Sequence, residues 1–312
     1  MRAVRASGDR VEVVEVPEPK GEGVRVQVRS AGICGSDLHL LGSPFLGPVT
    51  LGHEVAGFAP DGRPVAIEPM RPCGGCGFCA QGDENLCQQG MGMFYGVGLD
   101  GGMADEMLVP ARALVPLPAG LDPGNACLVE PLAVCVHGLR RARHHGGQRV
   151  AVVGGGNIGL CAVAAVRSGG AEVALVARHD AQREAGARLG ARAETQGVYD
   201  LVIDAAGTKS SLEACAALCK PGGTLLLVAT YWAGLELPGF NIAMKEVTVV
   251  PSSLYGREGA IRDIEVATAV LAKNAEIPKA LITHRFPLDA AKEAFVTAAD
   301  RAAGAIKVVL EP

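Results

Sequence analysis

Two textures of hydrophobic patterning divide the chain. Over residues 1–120 the apolar positions alternate with polar ones in short runs, as in Val11-Glu-Val-Val-Glu-Val16 and Val24-Arg-Val-Gln-Val28. A period of two predicts strands with one face buried and one wet. Met1 to Val16 alternates in the same way, and Pro and Gly punctuate the stretch throughout. From about residue 131 the apolar runs become continuous: Val150–Val153, Val173–Val176, Leu201–Ile203, Thr224–Val228 and Val247–Pro251. Alanine-rich helical stretches separate them. Strands that are apolar on both faces must be covered on both faces, which predicts a parallel sheet flanked by helices. The closing stretch, 257–312, carries one helical segment over Ile261–Asn274 and two strand-like runs, around Leu281–His284 and Ile306–Leu310. The pattern therefore predicts an α/β chain: a mainly β domain over 1–130, a doubly wound parallel-sheet domain over 131–256, and a tail over 257–312.

Composition narrows the partners. The chain has 312 residues, 49% of them hydrophobic, with a mean hydropathy of +0.25. That is ample for two globular cores. Aromatic residues make up only 4%, so those cores are built from Val, Leu, Ile and Ala. A net charge of −4 without a long basic run argues against nucleic acid and against an anionic membrane surface. No apolar segment reaches spanning length, and the N-terminus lacks the apolar block of a signal peptide. The expected location is the cytoplasm, and the expected partner is a small molecule. In such a chain, clustered cysteines read as metal ligands rather than disulfides.

Four of the ten cysteines do cluster. Cys73, Cys76, Cys79 and Cys87 follow the spacing C-x2-C-x2-C-x7-C inside the glycine-rich stretch Pro72 to Gly90. The glycines argue against regular helix or strand there. A short loop that gathers four thiolates makes a closed tetrahedral site of the kind structural zinc prefers. A second candidate set is dispersed: Cys34-Gly-Ser-Asp-Leu-His39, Gly52-His-Glu54 and Glu130-Pro-Leu132. Cys, His and carboxylate from three separate segments suit a catalytic zinc with one open position. The remaining cysteines, Cys127, Cys135, Cys161, Cys215 and Cys219, fall in apolar stretches and read as core.

The run Val150-Ala-Val-Val-Gly154-Gly-Gly156-Asn157-Ile158-Gly159 places G-x-G-x-x-G after a strand and before a helix. In that context it is a Rossmann-type dinucleotide fingerprint. Gly154 makes the turn, Gly156 admits the pyrophosphate, Gly159 lets helix and strand touch, and the helix start offers N–H groups to phosphate. At the end of the second strand an acid would bond the ribose 2′-hydroxyl of NAD. Here Ala177 stands in its place and Arg178 follows. A missing carboxylate and an added guanidinium favour a 2′-phosphate, hence NADP, with NAD possible. The competing reading leaves Arg178 in solvent and lets Asp180 serve the ribose.

Together these motifs resemble the zinc-dependent medium-chain dehydrogenases/reductases, the alcohol and polyol dehydrogenase family, over nearly the whole length. The resemblance rests on C-G-S-D-L-H at 34–39, G-H-E at 52–54, the four-cysteine lobe at 73–87, V-E-P-L-A-V at 129–134, G-G-G-N-I-G at 154–159 and L-I-T-H-R-F at 281–286. It implies a GroES-like, barrel-like catalytic domain completed by residues 257–312, a Rossmann domain, and an active site in the cleft between them. It implies a catalytic zinc on Cys34 and His53 with Glu130 in the third-ligand position, where a Glu resembles the polyol, butanediol and threonine dehydrogenase branches. Glu54 is the neighbouring carboxylate, and whether Glu54 or Glu130 ligates at rest stays open. Ser36 is the implied acceptor of the substrate proton, His39 the outer end of its relay, Lys307 a basic residue near the cofactor pyrophosphate, and Tyr255 a residue on the nicotinamide side. Leu41, Phe45, Met91, Phe94, Tyr95 and Tyr231 are candidate pocket residues. The implied activity is hydride transfer between NAD(P) and a secondary alcohol or polyol and its ketone or aldehyde. The implied assembly is a homodimer or homotetramer joined edge to edge, with Val247–Val250 as the candidate edge. A zinc-free quinone or enoyl reductase, or a non-catalytic nucleotide-binding relative, is the alternative. Two segments are shorter than the family pattern, Gly57–Val65 and Ala193–Asp200. The second shortening predicts a trimmed third Rossmann strand.

Overall fold

The computed structural model describes residues 1–193 and 195–312, and of Met91 the backbone only. Its contacts divide the chain into two compact units. The first holds Met1–Glu130, Gly256–Lys273 and Ile282–Pro312, and the second holds Pro131–Tyr255 and Asn274–Leu281. The second unit thus reclaims a short piece that the sequence pattern assigns to the tail. The helix Glu276–Leu281 buries Ile277 and Leu281 and packs on the helices Asn157–Ser168 and Asp180–Arg188.

In the first unit the alternating runs form strands as their period requires. Arg2–Ser7 and Arg10–Glu15 make an antiparallel hairpin. A larger mixed sheet runs in the order Ile282–Pro287, Lys307–Glu311, Val24–Gly32, Glu54–Phe58, Pro64–Ile67, Leu114–Pro116, with Glu106–Val109 also pairing Val24–Gly32. The C-terminal strands are therefore integral to this unit. Hairpin and sheet feed one core that includes Val4, Val26, Val55, Ile67, Met103 and Leu310. The short 57–65 segment is a tight turn in which Ala59 and Arg63 pair through Ala59 N–H at 2.9 Å.

In the second unit, five parallel strands lie in the order Thr248–Pro251, Cys219–Leu227, Tyr199–Asp204, Arg149–Val153, Glu172–Val176. The chain starts in the middle, steps to one side and then crosses to the other. The switch point therefore falls between Arg149–Val153 and Tyr199–Asp204, where open α/β sheets bind nucleotides at the strands' carboxyl ends. The third strand is reduced to a single bridge, Ala174 to Arg192. Among the described residues no helix is long and apolar enough to cross a membrane.

Candidate active site, zinc lobe and nucleotide turn

Strand register brings the catalytic candidates together. Gly32 pairs with Glu54 in an antiparallel ladder, so the residues just after one strand face those just before the other. Cys34 and His53 are the chemically active members of those two short segments. Cys34, extended at φ −89°, then caps the helix Gly35–Leu40. Asp37 reaches back so that its Oδ2 accepts the Cys34 N–H at 2.9 Å. Its other oxygen lies 3.4 Å from His53 Nδ1, in ion-pair range though not aligned as a hydrogen bond. One buried carboxylate thus orients both ligand candidates, as outer carboxylates do for metal-bound histidines. Ser36 Oγ lies 3.4 Å from His53 Nε2, and His39, exposed on the same helix, has its Nδ1 2.6 Å from the Gly35 carbonyl. The Phe94 ring covers the imidazole with centroids 5.5 Å apart.

The ligand atoms of Cys34, His53 and Glu54 all lie within 4.8 Å of one another. Glu130, in the first turn of the helix Val129–Arg141, is buried beside them but stands outside that close group. Burial, with Glu54 adding to it, pushes the Glu130 carboxyl up to about 7. Burial opposes protonation of His53, yet Asp37 and Cys34 outweigh it and hold the imidazole well above its ordinary value. Both shifts mark a buried cluster with an excess of acid, which a divalent cation would relieve. Thiolate, imidazole and carboxylate are the donor set zinc takes, so the residues present fit the metal.

Lys307, expected near the cofactor pyrophosphate, is instead buried within its own unit against Glu54. The pairing of Val309 with Gly32 and of Leu310 with Ala31 fixes the last strand against Val24–Gly32 and turns Lys307 inward. It is 1% exposed, and its Nζ donates to Glu54 Oε1 at 2.8 Å, Glu54 Oε2 at 2.5 Å and the Ile33 carbonyl at 2.8 Å. All three ammonium protons are used, and both oxygens of Glu54 are held.

The four lobe thiols converge as well, with their sulfurs within 4.8 Å of one another. Cys76 and Cys79 Sγ are 3.5 Å apart, and Cys73 and Cys79 Sγ 3.9 Å. Tetrahedral zinc with bonds of about 2.3 Å separates its sulfurs by about 3.8 Å, so the cage has the size of the ion. Backbone N–H groups, Gln88 first, lower the Cys76 thiol to about 6. The Cys73 N–H, donating to Cys87 Sγ at 3.3 Å, also holds that thiol below its ordinary value. The stretch is not wholly irregular: Gly77–Gln81 makes one helical turn capped at Cys76, with Gly82 in the left-handed region at φ 89°. Changing Cys76 to Ser is expected to remove one zinc per chain and lower the apparent Tm by about 5 °C. Metal analysis and a thermal scan check it, and an unchanged Tm would count against a structural ion.

In the second unit Gly154 takes φ 111°, and a Cβ on it would meet Ala205 and Ala206 at 2.9 Å. A Cβ on Gly159 would lie 1.8 Å from the Gly154 carbonyl. These glycines are what bring strand, turn and helix into contact. The helix Asn157–Ser168 starts at Gly156, and Asn157 Oδ1 is buried without a partner. An orphaned polar atom in the turn fits a ligand there. Beyond the second strand, Arg183 donates to the carbonyls of Ala177 and Arg178 at 2.9 Å and binds Asp180.

Other candidates fall elsewhere. Tyr255 is fully buried, so it does not line an open site. Tyr95 is buried, Phe45 is 79% exposed, and the side chain of Met91 lies outside the described residues. The five apolar-context cysteines are all buried. Asp37, which the motif C-G-S-D-L-H carries without an evident role, joins the site through its contacts with Cys34 and His53. Its signal was available: an acid three residues after the helix-capping residue is where a side chain reaches back to the cap.

Known proteins agree with this geometry. The family model for the alcohol dehydrogenase GroES-like domain matches residues 20–119, and that for zinc-binding dehydrogenases matches residues 157–272. The chain belongs to the zinc-binding alcohol dehydrogenases. This dehydrogenase is 30% identical to L-galactonate-5-dehydrogenase of Escherichia coli K12, over 90% of its own length and 89% of the relative's. Among solved structures it resembles L-idonate 5-dehydrogenase of E. coli with a TM-score of 0.88 and 28% identity, covering 100% of this chain and 97% of the other. It also resembles a zinc-binding dehydrogenase of Sinorhizobium meliloti 1021 solved with NADP, with a TM-score of 0.85 and 30% identity, covering 100% and 99%. The dehydrogenase is thus an NAD(P)-dependent zinc oxidoreductase with a GroES-like and a Rossmann-type domain.

Proposed function

We propose that the enzyme interconverts a secondary hydroxyl of a polyol or sugar acid and the corresponding ketone, with NADP favoured over NAD. The observation that carries this is the cluster of half-buried Cys34 with buried His53 and Glu54, with Ser36 and His39 on the adjoining helix. The two relatives named for galactonate and idonate support the substrate class. Cys34, His53 and one of Glu54 or Glu130 would hold the catalytic zinc, and Cys73, Cys76, Cys79 and Cys87 the structural one. Bound zinc would supply Lewis acidity that eases loss of the hydroxyl proton, and bound nicotinamide would supply the hydride acceptor. The Lys307 grip on Glu54 favours Glu130 as the resting third ligand. Ser36 Oγ takes the hydroxyl proton, and His39, exposed on the same helix, passes it to solvent. Phe94 shields the His53 ring from water.

Gly154, Gly156, Asn157, Ile158 and Gly159 would cradle the pyrophosphate. Arg178 would bind the 2′-phosphate, since Asp180, the competing ribose partner, is already engaged by Arg183. Initial rates on a panel of sugar acids, polyols and ketones with NADP(H) and NAD(H) test the proposal. Activity confined to substrates without a secondary hydroxyl or its ketone would refute it. Changing Arg178 to Ala is expected to cut kcat/KM for NADP about 30-fold and leave that for NAD within twofold, because a charge-assisted contact is lost with one cofactor only. Equal loss with both would remove the 2′-phosphate argument. The exposed Trp232, Leu235, Phe240 and Met244, just before the edge strand Thr248–Pro251, support a homodimer formed along that edge.

A further inference from the structure

Asp204 ends the strand Tyr199–Asp204, which flanks the switch point. It is 0% exposed, and no basic side chain among the described residues pairs with its carboxylate. Neutral donors compensate the charge instead. Oδ1 accepts the N–H groups of Ala206 at 2.9 Å and Gly207 at 3.3 Å. Oδ2 accepts the Tyr231 hydroxyl at 2.8 Å and lies 3.1 Å from Ser211 Oγ, whose proton it shares with the Thr208 carbonyl at 2.8 Å. Its backbone carbonyl takes the N–H groups of Val228 and Ala229, both at 3.1 Å. Six donors thus converge on one residue. They come from the loop after its own strand, from the first turn of the helix Lys209–Leu218, and from the loop after the neighbouring strand Cys219–Leu227. The two loops are also in contact, since a Cβ on Gly207 would meet Ala229 at 3.0 Å.

The first of those loops is the wall of the nucleotide turn. Ala205 N–H bonds the Val153 carbonyl at 2.9 Å, and Ala205 and Ala206 are what a side chain at Gly154 would strike. A shift of residues 205–207 is therefore transmitted to the turn that receives the pyrophosphate. We propose that Asp204 is a positioning residue for cofactor binding: with Tyr231 and Ser211 it locks the loops after two adjacent strands and so holds the glycine turn in its ligand-ready shape. The inference rests on the dehydrogenase reading. It adds a residue that touches neither cofactor nor substrate and acts through the turn.

The test uses the zinc-loaded full chain and three hydroxyl deletions. Tyr231→Phe and Ser211→Ala each remove one donor to Asp204. Tyr199→Phe removes a hydroxyl that accepts the Gln196 N–H at 3.2 Å, at the opposite end of the same strand. The Kd for NADPH is read by nucleotide fluorescence, beside Tm, kcat at saturating cofactor, and KM for cofactor and substrate. Tyr231→Phe is expected to raise the NADPH Kd and the cofactor KM about tenfold, and Ser211→Ala a few-fold. kcat and substrate KM should stay within twofold in Ser211→Ala, and Tyr199→Phe should leave the Kd unchanged. An unchanged Kd in both Asp204-directed variants, or an equal rise in Tyr199→Phe, would overturn the positioning role. Wild-type protein that binds neither NADPH nor NADH would overturn the dehydrogenase reading itself, a failure visible before any variant is made.

Discussion

Cys34→Ser is expected to retain one zinc per chain and to lose turnover by at least about 1,000-fold. The thiolate is the softest donor of the cluster, and Asp37 has already fixed its backbone and oriented His53 toward the same point. A hydroxyl in its place is a neutral, weaker ligand. Withdrawing a Lewis acid removes several kcal/mol of stabilisation from the developing charge, and about 4 kcal/mol corresponds to a thousandfold rate loss. The proposed cofactor residues belong to the other unit, so the Kd for NADPH should not move. Metal analysis, fluorescence titration and initial rates together make the check. Full turnover in a variant with a single zinc would refute the catalytic-metal assignment.

Lys307→Met is expected to be the most destabilising single change in the first unit. Burial disfavours the ammonium, but Glu54 outweighs that and holds Lys307 above its ordinary value. Removing the ammonium strands a carboxylate that is 0% exposed. Breaking one side of a buried pair costs about 3–5 kcal/mol, whereas replacing both partners with neutral groups of similar volume is often close to neutral. The single variant should therefore lose roughly 10 °C in Tm, and the double variant Lys307→Met with Glu54→Gln should regain most of it. Differential scanning calorimetry of the pair of variants decides. If the double variant were as unstable as the single one, the loss would come from packing rather than from the stranded charge.

The fold was legible wherever one physical rule dominated. Continuous apolar runs located all five strands of the parallel sheet, because the inner strands are buried on both faces and even the half-exposed edge strand Thr248–Pro251 keeps Val249 and Val250 in its middle. Glycine loop and cysteine lobe were legible because backbone clearance and thiolate chemistry tolerate few substitutes. Lys307 was not, since a basic residue near the end of the chain carries no sign of which way its strand faces. That direction depends on the pairing of Val309 with Gly32, a contact across almost the whole sequence. Tyr255 failed for a similar reason: its ring follows the last strand of the sheet, but its burial is set by tertiary packing. Asp204 was hidden because half of its six partners, Val228, Ala229 and Tyr231, lie more than twenty residues further along the chain.

The missing third strand raises a question of colloidal behaviour. Deleting an outer strand normally bares a row of unpaired amides and carbonyls, a template on which other chains can add. Here a single residue closes most of that row. Arg192 N–H bonds the Val173 carbonyl, and its own carbonyl accepts the Leu175 N–H, both at 2.9 Å. Its guanidinium is anchored on Glu172 at 2.7 Å, so a charged pair sits on the exposed rim. The shortened chain thus sheds a structural element without acquiring an adhesive border, and one side of the sheet stays inert while the opposite side remains available for association.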